Sequence, residues 1–300
     1  MLRKNILKLL YNLFPFSLKA DIDQNYIDYD IEISCVINFY SRIDLLTSIL
    51  YCLSQQDISK DKFEVILVED RDGSIEGKNA ALRFSETLNI RYLTLNDNFG
   101  KMGFSRNHGI LNAKGRNILF LDDDTIILQN NFLSALIEQF NKTDADCIIP
   151  HGSASFCLLN DKYDYHDPYF PSNRCTAYKR QALLELGGFV SNLIGQEEVE
   201  FLVRFTCANK VSVTSKNLEF MHPPFILHNL NKAKAVGKSF ASLINRYPFI
   251  MWLMLLINGA RYLPLLVFPF NRKGRTFGRF SLGFILGYLY YLANKEIEYS

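Results

Sequence analysis

The segment RNILFLDDDT, residues 116–125, changes within a few residues from an apolar run into three consecutive aspartates. Three earlier segments are apolar in a similarly continuous way, which is typical of strands buried on both faces of a parallel sheet. They are IEISCVINF (31–39), FEVILVED (63–70) and IRYLTL (90–95). We therefore predict four strands, the last of which delivers Asp122, Asp123 and Asp124 to the end of a buried element.

Segments with helical spacing of apolar residues connect these strands. Residues 42–56 and 76–88 have this spacing, and 101–115 predicts a helix closed by Gly115. Strands that alternate with helices form right-handed βαβ units in a mostly parallel sheet. Because such sheets bind ligands at the carboxyl ends of their strands, Glu69–Asp70 and Asp122–Asp124 become the first candidates for a site.

The regular alternation of predicted strands and helices ends near residue 145. Short strands are expected at 146–150 and 154–159, followed by a loop over 160–175. QALLELGGF (181–189) predicts a helix that ends at its glycine pair. Residues 196–210 predict a further helix, whose acidic first turns suit the positive end of the helix dipole.

The composition narrows the class of protein. The 300 residues are 48% hydrophobic and 21% charged, with a net charge of +2. This balance excludes a disordered chain and an ordinary polytopic membrane protein, and it gives no signal for a nucleic-acid partner. None of the six cysteines belongs to a C-x-x-C pair, which indicates reduced thiols in a reducing compartment.

Three adjacent carboxylates at a strand end repel one another and need a counter-charge. A divalent cation supplies it, and Mg²⁺ or Mn²⁺ prefers carboxylate and phosphate oxygens, so a metal there would bridge a diphosphate. His222, in FMHPPFILH, is a candidate nitrogen ligand, and His228 is a lesser one. The alternative is a solvated acidic turn in which Asp123 or Asp124 caps a helix near residue 130.

Two other segments place polar side chains near the strand ends. In LVEDRDGS (67–74), Asp70 is a candidate acceptor for a ring N–H of a bound base, although Asp-Gly-Ser also forms ordinary turns. In NFGKMGFSRNHGI (98–110), Arg106 is placed to reach the crevice between strands, or instead to pair with Asp122 or Asp70.

A cluster of glutamates opens the helix predicted in GQEEVEFLVRF (195–205). One of them is a candidate general base that takes a proton from an acceptor hydroxyl. The alternative is the ordinary acidic charge of a helix N-terminus. Glu197 and Glu198 both remain open as the base.

Taken together and in this order, the segments resemble the family 2 glycosyltransferases of the GT-A fold over residues 31–245. VINFYSR resembles the opening strand motif of that family, and LVEDRDGS its V-D-D-G-S segment, with Glu69 for the first Asp and Arg71–Asp72 inserted. GFSRNHGI is similar to its A-R-N-x-G helix and FLDDDT to its D-x-D motif. LGGF and GQEEVEF resemble its G-G-F and G-x-E-D-x-D pair.

The resemblance implies a Rossmann-like α/β domain of the GT-A fold, with a mostly parallel sheet flanked by helices, and it implies roles on the donor side. Tyr40 would stack on the nucleotide base, and Asp70 would bind the edge of that base. Arg106 would help to hold the nucleotide. Asp122 would reach the ribose or the metal, and Asp124 would bind the metal.

The resemblance also implies a reaction. Glu198 stands where the family usually has its catalytic Asp, and Gly188 and Phe189 would lie on the acceptor side. The expected enzyme is an inverting, metal-dependent glycosyltransferase that uses Mn²⁺ or Mg²⁺. It would move a sugar from a nucleotide-sugar donor, in the first instance a UDP-sugar, to a hydroxyl of a growing surface glycan or a lipid-linked saccharide.

Other functions fit the sequence less well. A polyprenyl-phosphate acceptor is the alternative within the same class. A nucleotidyltransferase would need a glycine-rich phosphate loop near the first strand, and VINFYSRIDLL has no glycine. A sugar-binding module would not need both a carboxylate triplet and a separate acidic helix start.

We expect three parts in the chain: an amphipathic segment and link (1–30), the catalytic domain (31–245) and a C-terminal apolar, basic helical extension (246–300). Residues 220–294 hold nine basic and no acidic residues. The apolar run 247–270 has about the length of a membrane span, roughly 20 residues, but Asn258–Arg261 interrupt it. Two shorter helices lying partly in a membrane interface are therefore expected.

The expected location is peripheral, on the cytoplasmic face of the cell membrane, with the soluble cytoplasm as the second choice. Basic side chains near the end of the chain would meet anionic headgroups. The alternatives are that 247–292 packs on the catalytic domain or on a second subunit, or that it crosses the membrane once.

Overall fold

The computed structural model describes residues 2–24, 31–154, 174–223, 227, 229–267 and 272–297. An N-terminal helix, α1 (Leu2–Leu13), precedes a regular alternation of strands and helices. In chain order these are β1 (Ile31–Phe39), α2 (Ile43–Ser54), β2 (Phe63–Glu69), α3 (Ile75–Phe84), β3 (Ile90–Thr94), α4 (Met102–Asn112), β4 (Gly115–Asp122) and α5 (Phe132–Lys142).

The second half of the chain is less regular and ends in helices. Its elements are β5 (Cys147–Ala154), β6 (Cys175–Lys179), α6 (Arg180–Glu185), α7 (Glu197–Cys207), β7 (Ser212–His222), α8 (Asn231–Ala241), α9 (Phe249–Ala260) and α10 (Arg272–Leu292). Short 3₁₀ helices at Ser242–Asn245 and Leu263–Val267 flank α9.

The strands form one seven-stranded sheet in the order β3-β2-β1-β4-β6-β5-β7. β1 pairs in parallel with β2 and β4, β2 with β3, and β5 with β7. β6 lies antiparallel between β4 and β5. The mostly parallel α/β sheet predicted from the sequence is therefore confirmed, and β2 is buried at every position, Glu64 and Glu69 included.

One detail of the sequence-based expectation was wrong, and two others can be compared with the structure. The helix predicted over 101–115 ends at Asn112, and Gly115 opens β4 instead. A Cβ at Gly115 would lie 2.4 Å from the backbone nitrogen of Ser34, so the glycine allows a close approach between strands rather than ending a helix. The strand expected at 146–150 is present and continues as β5 to residue 154, whereas residues 155–159 of the second expected strand, 154–159, lie outside the described residues. The alternative in which Asp123 or Asp124 caps the helix near residue 130 does not hold, because α5 follows Asn131.

Hydrophobic cores cover both faces of the sheet. Side chains of α2, α3 and α5 pack on one face, and those of α4, α6 and α7 pack on the other. A third core joins α1, the outer side of α7 and the C-terminal helices α8, α9 and α10. Phe284 of α10 and Met251 of α9 are almost fully buried in this third core, so the C-terminal helices pack on the outer side of α7.

The apolar run near the C-terminus is broken where the sequence predicted a break. α9 ends at Ala260, and a separate 3₁₀ helix begins at Leu263. Within the described residues, Phe249–Val267 is the one helical stretch long and apolar enough to cross a membrane, with a mean hydropathy of 1.6 and 22% of the stretch buried. This finding concerns length and composition alone.

Candidate active site

The carboxyl ends of β1, β2 and β4 meet at one edge of the sheet. In the parallel register, Phe39 lies beside Glu69 and Asn38 lies beside Asp122. The segments that follow these strands therefore project from the same edge. This register brings the sequence-predicted donor and metal residues into one region, although they are far apart in the chain.

His222 lies directly against the aspartates that end β4. Its Nε2 is 2.7 Å from Oδ1 of Asp124 and 3.4 Å from Oδ2 of Asp122. Backbone hydrogen bonds between Ile126 and Met221 attach the end of β7 to the segment after the aspartates, which fixes this approach. Within the described residues, one group of at least three His, Cys, Asp or Glu side chains could hold a metal ion. It consists of Asp122, Asp124 and His222, whose ligand atoms lie within 4.8 Å of one another. His228 lies outside the described residues.

The protonation of His222 indicates what this cluster can bind. Its Nδ1 lies 2.6 Å from the carbonyl oxygen of Pro223, so Nδ1 donates there and Nε2 faces the two carboxylates. Burial lowers the pKa of His222, but Asp122 and Asp124 outweigh burial and raise the pKa to about 9. The two carboxylates thus favour a positive charge at Nε2, either a proton or a metal ion in its place. Two carboxylates and one imidazole are a donor set that suits Mn²⁺, so the residues present fit a divalent metal.

Arg42 neutralises the remaining carboxylate, and the sequence analysis missed it. Its guanidinium donates to both oxygens of Asp123 and lies 2.6 Å from Oδ2 of Asp124. Asp123 is therefore held by an arginine, which leaves Asp122 and Asp124 to face His222. The available signal was a basic residue three positions after the end of β1, in the segment VINFYSR.

Arg106 connects the metal-ligand cluster with the acidic start of α7. Its Nε lies 2.7 Å from Oε1 of Glu197, and an Nη2 lies 3.3 Å from Oδ1 of Asp122. The guanidinium also lies over the ring of Phe120, 5.4 Å from the ring centroid. Of the two ion pairs given as alternatives to a nucleotide contact, the one with Asp122 forms, whereas Asp70 accepts from Gly100; the nucleotide contact of Arg106 stays a prediction.

The two candidate bases have different surroundings. Glu197 is almost fully buried and bound to Arg106, whereas Glu198 is half-buried and has no cation paired with it among the described residues. Burial, followed by the neighbouring charge of Glu197, raises the pKa of Glu198 to about 8. The pKa of Glu197 is raised by burial as well, so what distinguishes Glu198 as the candidate base is that no cation pairs with it among the described residues.

The third glutamate of this helix start is excluded as a base. Glu200 is fully buried and accepts two hydrogen bonds of 2.8 Å from Arg204, and the hydroxyl of Tyr247 donates to it as well. Arg204 also donates to the backbone carbonyls of Leu186 and Gly188. This buried arginine fixes α7 against the glycine pair, so it orients the helix start that carries Glu198.

The predicted base-binding residues lie at the other side of the same edge. Tyr40 is 59% exposed at the end of β1. Asp70 follows β2, and both of its carboxylate oxygens lie 3.0 Å from the backbone nitrogen of Gly100, which donates to them. The backbone N–H of Asp70 donates to the carbonyl of Phe39, which places Asp70 beside Tyr40.

The segment predicted to lie on the acceptor side is held by Asn107. The amide of Asn107 accepts from the backbone nitrogen of Phe189 and donates to its carbonyl, both at 2.8 Å. The ring of Phe189 is fully buried against Phe120 and Phe201. Any contact of this segment with an acceptor would have to come from its backbone, and the acceptor-side role of Gly188 and Phe189 stays a prediction.

Replacing Gly188 by alanine should lower the free energy of unfolding by about 1–3 kcal/mol. Gly188 has φ of +66°, and a Cβ there would lie 2.5 Å from Oδ1 of Asn107 and from Cδ1 of Ile22. Urea unfolding measures the change. Gly195→Ala is the matched control, because its Cβ would meet only Val236 at 3.4 Å, and it should change stability by less than about 1 kcal/mol. Equal stability of both variants would contradict the strained position of Gly188.

Comparison with known families gives a match over more than half of the chain. The model of "Glycosyl transferase family 2" matches residues 34–192. Two curated relatives are similar over shorter regions. A poly(ribitol-phosphate) beta-glucosyltransferase of Bacillus spizizenii is 36% identical over 98 residues, and the poly(ribitol-phosphate) beta-N-acetylglucosaminyltransferase TarS of Staphylococcus aureus is 30% identical over 96 residues. These regions cover 32% and 31% of this chain but only 15% and 16% of the relatives.

Solved structures share the fold over almost the whole chain. The mannosyltransferase PcManGT from Pyrobaculum calidifontis, in complex with GDP-Man and Mn²⁺, superposes with a TM-score of 0.63 at 14% identity and covers 98% of this chain and 97% of its own. S. aureus TarS 1–349 in complex with UDP-GlcNAc superposes with a TM-score of 0.55 at 14% identity and covers 90% of this chain and 94% of its own. At such identities the likeness supports the fold alone.

Proposed function

We propose, because this chain belongs to glycosyl transferase family 2, that it is an inverting, metal-dependent transferase acting on a nucleotide-diphosphate sugar. The observation that carries the proposal is the arrangement at one sheet edge. The cluster of Asp122, Asp124 and His222 lies on one side of Arg106. On the other side is the helix start with Glu198, with which no cation pairs among the described residues. A metal-binding cluster close to a carboxylate that can act as a base suits the two requirements of sugar transfer. The metal neutralises the departing diphosphate, and the base deprotonates the acceptor hydroxyl.

Glu198 performs the proton transfer in this proposal. Its carboxylate takes the proton of the acceptor hydroxyl while the hydroxyl oxygen attacks the anomeric carbon on the face opposite the diphosphate. Arg106 holds Glu197 and Asp122 in place and so keeps the base at a fixed position relative to the metal ligands. A divalent cation held by Asp122, Asp124 and His222 would neutralise the charge that develops on the departing diphosphate.

The donor is proposed to be a UDP-sugar, and the acceptor a hydroxyl of a growing surface glycan or of a lipid-linked saccharide. The support for the donor is that TarS, similar in fold and in part of its sequence, has been solved with UDP and with UDP-GlcNAc. The support for the acceptor is that both curated relatives are named for transfer to poly(ribitol-phosphate). Tyr40 and Asp70 would hold the base of the donor.

The test is nucleotide release from a panel of UDP-, GDP-, CDP- and ADP-sugars by the full chain, with Mn²⁺ or with EDTA. The proposal expects slow, Mn²⁺-dependent release of UDP from at least one UDP-sugar even without an acceptor, because water can replace the acceptor hydroxyl. Release that is equal in EDTA would contradict the metal dependence. Absence of release from every nucleotide sugar, with no nucleotide binding, would contradict the transferase assignment.

We further propose that the C-terminal helices rest on the cytoplasmic face of an anionic membrane. The support is an apolar surface next to basic residues: Phe249, Ile257 and Val267 are 64%, 61% and 77% exposed, and Arg275 and Arg279 are exposed on α10. Each basic side chain near an anionic surface contributes about 1 kcal/mol. A surface-bound enzyme would suit a lipid-linked acceptor.

Replacing Phe249 and Ile257 together by glutamate should abolish flotation of the full chain with vesicles of one-third anionic lipid. The two charges would have to enter the apolar layer next to anionic headgroups. Point variants are preferable to truncation after Arg246, because removal of α9 and α10 would uncover the third core. Leu82→Glu, an equally exposed leucine on α3, is the control and should float like the unchanged protein. Flotation of the double variant would contradict the proposed membrane surface.

A further inference from the structure

Helix α1 has apolar side chains on two sides, although the protein covers only one of them. Leu7 is buried in the third core, and Tyr11 packs against the same core one turn later. The side that faces away from this core carries an apolar stripe at intervals of three and four residues. It consists of Ile6, Leu9 and Leu13, which are 47%, 58% and 63% exposed. A helix that only completed a protein core would have polar side chains at these positions.

Helix α9 has the same excess of apolar surface. Met251 and Leu255 are buried in the third core, whereas Phe249 and Ile257 are exposed. α1 and α9 therefore both cover the third core with one side and present apolar side chains to solvent on another. Neighbouring exposed apolar side chains in such numbers mark a surface that contacts a membrane or another protein.

A stack of three aromatic rings joins the end of α1 to the start of α9. The ring of Phe16 meets the ring of Tyr11 edge-on, with centroids 4.9 Å apart, and it meets the ring of Tyr247 edge-on at 4.7 Å. The exposed Leu13 lies between the first two rings in the sequence, and the exposed Phe249 follows the third ring by two residues. The uncovered parts of the two helices are therefore neighbours, although they come from opposite ends of the chain.

The charge of these segments favours an anionic lipid surface as the partner. The first 20 residues contain no acidic residue and four basic ones, which are Arg3, Lys4, Lys8 and Lys19. At the junction of the two helices, Arg246 donates to the backbone carbonyl of Lys19 and pairs with Asp21 at 3.6 Å, and the side chain of Lys19 is exposed. An apolar stripe within a basic segment is typical of helices that lie in the interface of an anionic bilayer.

We propose that α1 is a second membrane-contacting element, whose stripe of Ile6, Leu9 and Leu13 enters the interface of an anionic bilayer beside the start of α9. The inference rests on the proposed function, in which the C-terminal helices rest on such a membrane, and it extends that contact to the other end of the chain. One helix in the interface leaves the protein free to turn about the helix axis. Two neighbouring helices restrict that rotation.

The contact would also orient the helix that carries the candidate base. The segment after α1 is attached to α7, because Arg204 donates to the backbone carbonyl of Leu18 at 3.2 Å. The start of α9 is attached to the same helix, because the hydroxyl of Tyr247 donates to Glu200. Both membrane-contacting helices are thus connected to α7, which begins beside Glu198. Their contact would fix the angle between α7 and the bilayer, as transfer to a lipid-linked acceptor requires.

The experiment is flotation of the full chain with increasing amounts of vesicles that contain one-third anionic lipid. Replacing Leu9 and Leu13 together by serine should lower the partition coefficient about 10- to 100-fold, because two leucines no longer enter the apolar layer. Both side chains are exposed, so the variant should fold normally. The matched control replaces two exposed leucines of α3 and α4, Leu82 and Leu111, by serine and should leave the partition coefficient unchanged.

A tryptophan in the stripe reports its position directly. The single natural tryptophan, Trp252, is buried in the third core and provides the background signal of the unchanged protein. In Leu13→Trp, vesicles should shift the added emission to shorter wavelength, and lipids with brominated acyl chains should quench it. Absence of both effects in a variant that floats with the vesicles would overturn the proposal.

The remaining outcomes separate this inference from the proposed function. If the double variant of Phe249 and Ile257 loses flotation but the double variant of Leu9 and Leu13 floats like the unchanged protein, the inference is wrong and the membrane contact of the C-terminal helices stands. If the unchanged protein does not float, both are wrong. If sedimentation shows a dimer that the serine variant converts to a monomer without any change in flotation, the stripe is an interface between two copies and the inference is wrong.

Discussion

Glu198→Gln should lower turnover by about 10²–10⁴-fold while the affinity for the donor nucleotide stays nearly constant. The amide keeps the size of the side chain but cannot take the proton of the acceptor hydroxyl. No ion pair is lost among the described residues, because Glu198 has no paired cation there, so the variant should fold normally. Steady-state kinetics and UDP titration of the same preparation separate the two effects.

Glu197→Gln is the matched control for this prediction. It removes the partner of the buried Arg106, whose Nε lies 2.7 Å from Glu197. We therefore expect reduced stability or weaker nucleotide binding rather than a selective loss of turnover. If Glu197→Gln instead lowers turnover with intact binding and Glu198→Gln does not, the base is Glu197. If neither variant slows transfer, the start of α7 is only a charged helix terminus.

The pH profile gives an independent check on the base. Burial and Glu197 raise the pKa of Glu198 to about 8, and a general base acts only when it is deprotonated. The rate constant kcat/KM should therefore rise with pH through about 8 and level off above it. A profile that is flat from pH 6 to 9 would contradict Glu198 as the base.

Asp124→Asn should abolish detectable transfer and sharply weaken Mn²⁺-dependent nucleotide binding. Asp124 is buried and lies 2.7 Å from Nε2 of His222 in the only metal-ligand cluster found in the described residues. The amide offers a neutral oxygen where the cluster needs an anion, and a metal with two remaining ligands would be held poorly. Asp144→Asn, an exposed aspartate far from the cluster, is the control and should keep both properties. Normal metal-dependent turnover in Asp124→Asn would remove Asp124 from the metal site.

The sequence was sufficient for the parts of the fold that depend on local pattern. Continuous apolar runs identified β1, β2, β3 and β4, because a strand buried on both faces has no polar side. The carboxyl-end rule then located Asp70 and Asp122–Asp124 correctly, since it depends only on strand direction. The resemblance in motif order implied Glu198 as the base, whereas His222 was a candidate, among five histidines, because the acidic cluster needs a metal ligand.

Contacts between distant segments could not be predicted in this way. Arg42 binds Asp123 and Asp124 across 81 and 82 residues of sequence, and nothing in VINFYSR indicates which carboxylate it would meet. The pairing of Arg106 with Glu197 likewise depends on how α4 and α7 pack on the sheet. Such pairs require the register and the helix packing, which a single sequence does not contain.

The C-terminal helices show a second limit. Met251 and Leu255 of α9 are buried in the third core, while Phe249 and Ile257 of the same helix are largely exposed. All four are apolar, so hydropathy cannot tell the side that packs on the protein from the side that is free for a membrane. The sequence therefore predicted a break at Asn258–Arg261, but it gave packing of these helices on the rest of the chain only as an alternative and did not indicate the contact with α7 and α8.

Titration of UDP into the full chain, with Mn²⁺ or with EDTA, tests the central claim most directly: the metal cluster binds the nucleotide, and Glu198 acts only in proton transfer. The unchanged protein and Glu198→Gln should bind UDP with similar affinity in Mn²⁺, and both should lose most of that affinity in EDTA. Asp124→Asn should bind weakly under both conditions. Equal binding in Mn²⁺ and EDTA by the unchanged protein, or unchanged Mn²⁺-dependent binding by Asp124→Asn, would contradict the account.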